Sequence, residues 1–162
     1  MSKNYIKDVF EVLNSSENLK RLLWYKPKDN NNPEPLSPTL PNISDNEELN
    51  WRVIEDRILL NSKSDDLVND DPKCRIYLYL GDRRPSENAR MVKQEIVIDV
   101  LWHELFDNDL RFDAVTRTLN RLLINKRITG VGRMSYLEGM NIGTPKNYSG
   151  YRHIFAVGSV KS

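Results

Sequence analysis

Residues 74–103 carry the pattern that most limits how this chain can fold. From Cys74 to Leu80, the side chains Cys74, Ile76, Leu78 and Leu80 alternate with Arg75, Tyr77 and Tyr79. This is the two-residue period of a strand that lays one face on a core. Gly81-Asp82-Arg83-Arg84-Pro85 breaks the run. A second alternation, Met91 to His103, puts Val92, Ile96, Ile98, Val100 and Trp102 on one face and Lys93, Glu95, Asp99 and His103 mainly on the other. The two strands are expected to form an antiparallel pair, and its apolar face requires a covering layer.

Helical patterns supply that layer. Asp107-Asn108 is read as the cap of a helix in which Phe112, Val115, Leu119 and Leu122 recur at spacings of three and four. Arg111, Arg117 and Arg121 lie off that stripe. Asp107, Asp109 and Asp113 at its start, and Arg121, Lys126 and Arg127 at its end, suit the helix dipole. Strands follow at about 128–137 and 151–160, separated by a loop containing Gly139, Gly143, Pro145 and Gly150. The order from Cys74 onward is therefore β-β-α-β-β. Upstream, Tyr5, Val9, Val12 and Leu13 predict one helix. Ser15-Ser16 followed by Glu17, Leu19, Leu22 and Leu23 predicts a second, which ends before Pro27. The fold class is α+β: an antiparallel sheet packed on helices, with an N-terminal helical segment.

Between these parts lies a stretch of different character. Pro27, Pro33, Pro35, Pro38 and Pro41 are five of the chain's eight prolines, so neither a helix nor a central strand can pass through. A loop this long is either functional or disordered, and an arm lying over a neighbouring subunit is the functional reading. Trp51 to Leu60 is ambiguous between strand and short helix, and an acidic linker runs from Ser64 to Asp71. The organisation expected is a helical segment at 1–25, an extended arm or linker at 26–72 and the sheet core at 73–162, in one domain.

Composition narrows the function classes. A lone Cys74 supplies no intramolecular disulfide. With two histidines in 162 residues, a soft-metal site is nearly excluded. No apolar run approaches the roughly 20 residues of a membrane-spanning helix, and Met1 to Asp8 lacks the apolar core of an export signal. Charge is uneven: residues 1–109 hold 15 Lys and Arg against 21 Asp and Glu, whereas residues 110–162 hold nine against two. Such halves either cancel on one surface or meet another molecule, including a second copy placed head to tail.

Candidate chemistry is thin. Glu95, Asp99 and His103 share a strand face, but residues four apart on a strand are about 13 Å apart, too far to grip one ion. They are expected to line a solvated outer face; the competing reading is a small metal-dependent nuclease or nucleic-acid-processing factor that uses them. His103-Glu104-Leu105-Phe106-Asp107 lacks the second histidine of a helical zinc motif. Ser15, Ser16 and Ser149 have no nucleophile-elbow context, and Cys74 reads as a packed core thiol. Gly130-Val131-Gly132 enters a strand rather than a helix, the reverse of a phosphate loop. Arg111, Arg117, Arg121, Lys126, Arg127, Arg133, Lys146 and Arg152, with Tyr136, Tyr148, Tyr151 and Phe155 among them, could carry phosphate contacts and stacking platforms. A basic surface that DNA passes without being read, and a monomeric regulatory binding module, also stand as readings.

Taken in order, several pieces resemble the tail-terminator, tail-completion and neck proteins of tailed bacteriophages. These are Leu22-Leu23-Trp24-Tyr25 closing the helical segment, the proline-rich crossing and the pair Ile76–Leu80 and Glu95–Val100. They continue with Asp109 to Val115, Ile128-Thr129-Gly130-Val131-Gly132-Arg133 and Tyr148-Ser149-Gly150-Tyr151-Arg152. The resemblance implies a non-enzymatic structural protein without cofactor, metal or catalytic residues. It would be assembled in the host cytoplasm and located in the virion at the head–tail neck. Its implied partners are further copies of itself in a ring, the head connector or adaptor, and the tail-tube proteins. Genomic DNA would pass close by without base reading, and no membrane is involved. Lys93, Glu95, Asp99, Arg133 and Arg152 are then candidate subunit or partner contacts. Arg117, Arg121, Lys126 and Arg127 are candidates to face a DNA-filled lumen or an acidic partner.

Overall fold

The computed structural model describes residues 4–61 and 65–160. The outer ends of the 1–25 and 73–162 segments, and Ser64 at the head of the acidic linker, lie outside the described residues. Two short helices open the chain, α1 (Tyr5–Asn14) and α2 (Glu17–Trp24). The Asn4 carbonyl oxygen Oδ1 accepts from the Lys7 N–H, and Ser16 Oγ accepts from the Leu19 N–H at 3.1 Å. These side chains satisfy amide donors that the first helical turn leaves unpaired. Helix α2 stops at Tyr25, whose backbone is extended, two residues before Pro27.

The stretch at 51–60 proves to be both of its alternatives in succession. Helix α3 (Glu47–Arg57), capped by Asn46, runs straight into the two-residue strand β1 (Ile58–Leu59). Next come β2 (Cys74–Pro85), β3 (Met91–His103), helix α4 (Arg111–Leu123), β4 (Val131–Asn141) and β5 (Tyr148–Val160). They form one five-stranded sheet in the order β1-β2-β3-β5-β4, antiparallel except for the β1–β2 contact. The β-β-α-β-β order and the antiparallel β2–β3 pair are thus as the alternation predicted.

Helices α1, α2 and α4 cover one face. Val9, Leu13, Leu19, Leu23, Val115 and Leu119 meet Ile76, Leu78, Ile96, Ile98 and Phe155, all fully buried. Each such side chain withdrawn from water contributes about 1.5–3 kcal/mol. Cys74 packs here too, and burial pushes its thiol pKa up to about 11. The opposite face carries a smaller cluster of Leu67, Tyr77, Leu101 and Tyr148.

Three expectations are corrected. First, the proline-rich stretch is not a disordered excursion but is strapped to α2 of its own chain. The buried Arg21 donates to the carbonyls of Ser37 at 2.8 Å and Leu40 at 3.3 Å. Glu17 accepts from the Ile43 and Ser44 N–H groups at 2.9 and 2.7 Å, and the Tyr25 hydroxyl donates to the Pro41 carbonyl at 2.6 Å. Proline has no N–H and cannot sustain a ladder, so α2 side chains satisfy the segment's backbone instead. The rest of the expected 26–72 linker contains α3 and β1.

Second, α4 begins at Arg111, not after Asp107-Asn108. A 3₁₀ turn, Glu104–Asp109, and Leu110 in left-handed conformation (φ 55°) come between. Asp107 is drawn away from capping because its carboxylate accepts from Trp102 Nε1 at 2.8 Å. Third, the last two strands sit further into their connecting loop than expected. Register shifts between Val131 and Ser135 and between Tyr136 and Glu138 carry the pairing on to Asn141 opposite Tyr151. Gly132, inside the first shift, has φ +79° and gives the left-handed backbone that an irregularity of this kind uses. Gly130, just before the strand, has φ +66°, and a Cβ there would lie 2.4 Å from the Gly158 carbonyl oxygen.

Candidate functional site

The residues expected to line a solvated sheet face are instead buried in a polar layer on the side away from the helices. Asp99 and Glu95 are each 3% exposed, and His103 is 6% exposed. Strand β3 lies between β2 and β5, which place a cation and a hydroxyl beside Asp99. Arg152, opposite it in register, donates through Nε to Asp99 Oδ1 at 2.8 Å and through Nη2 to Oδ2 at 3.2 Å. The Tyr79 hydroxyl donates to Oδ2 at 2.7 Å. Burial, and then the Asp99 carboxylate, raise the Tyr79 pKa and keep its proton on. A carboxylate held by a two-point guanidinium contact and a phenol is already neutralised.

Glu95 is engaged separately. Its Oε1 accepts from the Asp82 N–H at 3.1 Å, and its Oε2 lies 2.5 Å from Arg84 Nε. His103 Nε2 hydrogen-bonds Asn69 Oδ1 at 2.5 Å, and its Nδ1 accepts from the Leu105 N–H at 3.0 Å. The three candidate nuclease residues are therefore each committed to different partners. Among the described residues, no cluster of three or more His, Cys, Asp or Glu is disposed to hold a metal ion. The aromatic residues expected to stack bases are also used internally. Tyr148 and Phe155 are buried, and Tyr136 donates to or accepts from His153 Nδ1 at 2.9 Å. Burial depresses the His153 pKa to about 4.

A second polar system binds the helices together. Lys20, Arg21, Arg57, Arg75 and Arg111 are all below 8% exposed. Two of them close the C-terminus of α2, the negative end of its dipole. Arg111 donates to the carbonyls of Leu22 at 2.5 Å and Tyr25 at 2.7 Å, while Arg57 donates to the Leu23 carbonyl and lies 4.6 Å over the Trp24 ring. Arg75 is shared between Asp56 and Asp66. Burial opposes ionisation of Asp56, but hydrogen bonds from Arg57 and Lys73 outweigh it and hold the pKa at about 2. Asp56 and Lys73 border a cleft of about 760 Å³ that also meets Trp24, Lys26 and Arg52. Charge counting alone treats these cations as surface groups. Only their destinations reveal the role: backbone carbonyls 14 to 89 residues away for the four arginines, and Ser44 Oγ and Asn50 Oδ1 for Lys20.

What remains outside is charged. Arg117, Arg121, Lys126, Arg127 and Arg133 are all exposed along α4, the turn after it and the start of β4. Lys93 is exposed as well, and Arg152 is half-buried. The expected contact set is thus divided: Lys93 and Arg133 reach solvent, whereas Glu95 and Asp99 lie inside. Trp51 is among the exposed large apolar residues to which the sequence reading gave no role; it is 65% exposed on the outer face of α3. Its signal was its setting, one helical turn from both Glu47 and Glu55.

These features define an α+β protein whose helices cover one sheet face and whose buried charges serve as internal fasteners. The family can be named as well. The YomW family model matches residues 16–157, from the Ser16 cap of α2 to Val157 near the end of β5. Over 173 aligned positions the chain is 30% identical to the SPbeta prophage-derived uncharacterized protein YomW of Bacillus subtilis (strain 168), with 99% of both chains covered. The chain belongs to the YomW family, which is phage-associated. Among the described residues, no helix is long and apolar enough to cross a membrane.

Proposed function

We infer that the chain is a structural, non-enzymatic protein of the phage neck, a terminator or completion ring that joins the head connector to the tail tube. The observation that carries this reading is the division of polar groups. Glu95, Asp99 and His103, the groups most suited to chemistry, are spent on internal contacts, while cationic and anionic surfaces remain for neighbours. The prophage derivation of a relative that aligns along almost the whole chain supports the same reading. Copies in a ring meet through unlike surfaces, because heterologous contacts close only when each subunit offers two different patches. DNA in the lumen would face cations without base readout.

The test is a stop codon early in the gene of an inducible phage that encodes this protein, with lysates imaged by negative stain. Tails of abnormal length, or heads and tails left unjoined, are expected. Normal, infectious particles would overturn the reading. Magnesium- or manganese-dependent cleavage of DNA by the purified chain, abolished by Asp99→Asn in a variant whose circular dichroism is unchanged, would replace it with the nuclease.

A further inference from the structure

We propose that the outer face of α3, centred on Trp51, docks onto the basic ridge of α4 and β4 of a second copy of this chain, head to tail. This rests on the ring reading above and names the surfaces through which its copies would meet.

Three observations carry it. The first is Trp51 itself. An indole 65% exposed leaves much of its large apolar surface in water, and tryptophan is among the residues most enriched at the energetic centres of interfaces. The inward positions of α3 are occupied by Val53 and Arg57, both buried, so Trp51 points away from its own core. The second is the charge around it. Residues 45–71 carry nine acidic and three basic side chains, and Glu47, Glu55, Asp65 and Asp70 in that stretch are exposed.

The third is the complementary surface elsewhere on the molecule. Residues 117–133 carry five basic side chains and none acidic, and all five are exposed. The acidic surface flanks β1, which occupies one edge of the sheet, while Arg133 lies on β4 at the other edge. One chain cannot fold these edges onto each other, because three strands separate β1 from β4. A second copy can satisfy both.

Charge also selects the symmetry. A two-fold contact through either patch alone would set the acidic surface of Glu47 and Glu55, or the basic surface of Arg121, against its own copy, and like charges in contact are costly. A head-to-tail contact pairs unlike signs at every joint and leaves each subunit with one patch of each kind for the next. Guanidinium groups of the ridge would lie over the Trp51 ring, the favoured partner for a cation.

The experiment uses the full chain. Glu55→Cys and Arg121→Cys are made singly and together, with buried Cys74 retained, and treated with a short thiol cross-linker. The double variant is expected to give a ladder beyond dimers, a mixture of the two single variants to stop at dimers, and each single variant alone to give none. Sedimentation velocity runs beside it. Trp51→Ala, and separately Arg121→Glu with Arg127→Glu, are expected to weaken self-association by roughly tenfold or more. Adding Glu47→Lys and Glu55→Lys to the latter pair should restore it, which a folding defect would not do.

Dimers from a single-cysteine variant would overturn the head-to-tail contact. Wild-type assembly that is indifferent to all these changes would overturn this surface and leave the ring intact. A chain that stays monomeric at every concentration and is missing from purified particles would remove both.

Discussion

Replacing Arg111 with methionine removes a guanidinium while keeping most of the stem that packs around it. Arg111 is 1% exposed and lies 4.8 Å over the Phe106 ring. It donates to the Leu22 and Tyr25 carbonyls at 2.5 and 2.7 Å and to the Asp109 carboxylate at 2.8 Å. In Arg111→Met the carboxylate loses its partner where it is only 22% exposed. Breaking one side of a buried pair costs about 3–5 kcal/mol. Carbonyls left without donors add about 1–3 kcal/mol each when they stay buried, but the end of α2 can fray toward water and recover part of that. A net loss of about 3–5 kcal/mol lowers Tm by roughly 6–20 °C for a chain of this size. Urea and thermal unfolding followed by circular dichroism measure it. Arg111→Lys should recover only part, since one ammonium cannot serve two carbonyls and a carboxylate together. Arg111→Met combined with Asp109→Asn should lose less than the sum of the two single changes. A loss below about 1 kcal/mol for Arg111→Met would refute the view of the buried guanidinium groups as fasteners.

Other consequences can be measured independently. Burial disfavours the charged form of Glu17, but hydrogen bonds from Ile43, Ser44 and Arg21 hold its pKa near 2 against an ordinary 4.5. Its contribution is therefore present above pH 4.5 and is lost as pH falls toward 2; urea melts at pH 6 and pH 3 should show the loss, and Glu17→Gln should shrink that difference. Burial holds His153 neutral to about pH 4 against an ordinary 6.5. Only the unfolded chain takes up that proton between these values, so stability should fall from pH 6.5 downward, and an NMR titration of its ring protons should show a midpoint near 4. Gly130→Ala should cost about 1–3 kcal/mol for its left-handed backbone alone, and more for the clash with the Gly158 carbonyl, read as a lower urea midpoint. Asp99→Ala should destabilise the fold and lower the Tyr79 pKa, which a spectrophotometric phenol titration would detect.

The sheet was legible where one physical rule acted alone. The alternation at 74–80 and 91–103 needed only the strand period, and both strands form; but β2 runs on through the break expected at 81–85, past a register shift between Leu80 and Arg83 that leaves Leu80 exposed. The start of α4 was not legible, because an apparent cap, Asp107, was claimed by the Trp102 indole. Bulges in β4 hid its length, since a register shift erases the alternation by which a strand is recognised. The faces of β3 were assigned to the correct sides, but the second side was expected to be wet. A sequence reveals that Glu95 and Asp99 share a side with Lys93; it does not reveal that β2 and β5 bring Tyr79, Arg84 and Arg152 to neutralise them. For the same reason five buried cations were indistinguishable from surface ones.

Helix α2 illustrates a broader consequence for biosynthesis. At eight residues it is well short of the roughly 12–15 at which an isolated helix becomes even marginally stable in water. Its fasteners arrive late: Arg57 lies 34 residues beyond the carbonyl it holds, and Arg111 lies 89 residues beyond its own. On the ribosome, the opening segment must wait as unsettled chain until most of the polypeptide has emerged. Such a protein matures in one late step, and a premature stop anywhere before α4 should yield fragments that the cell's proteases clear.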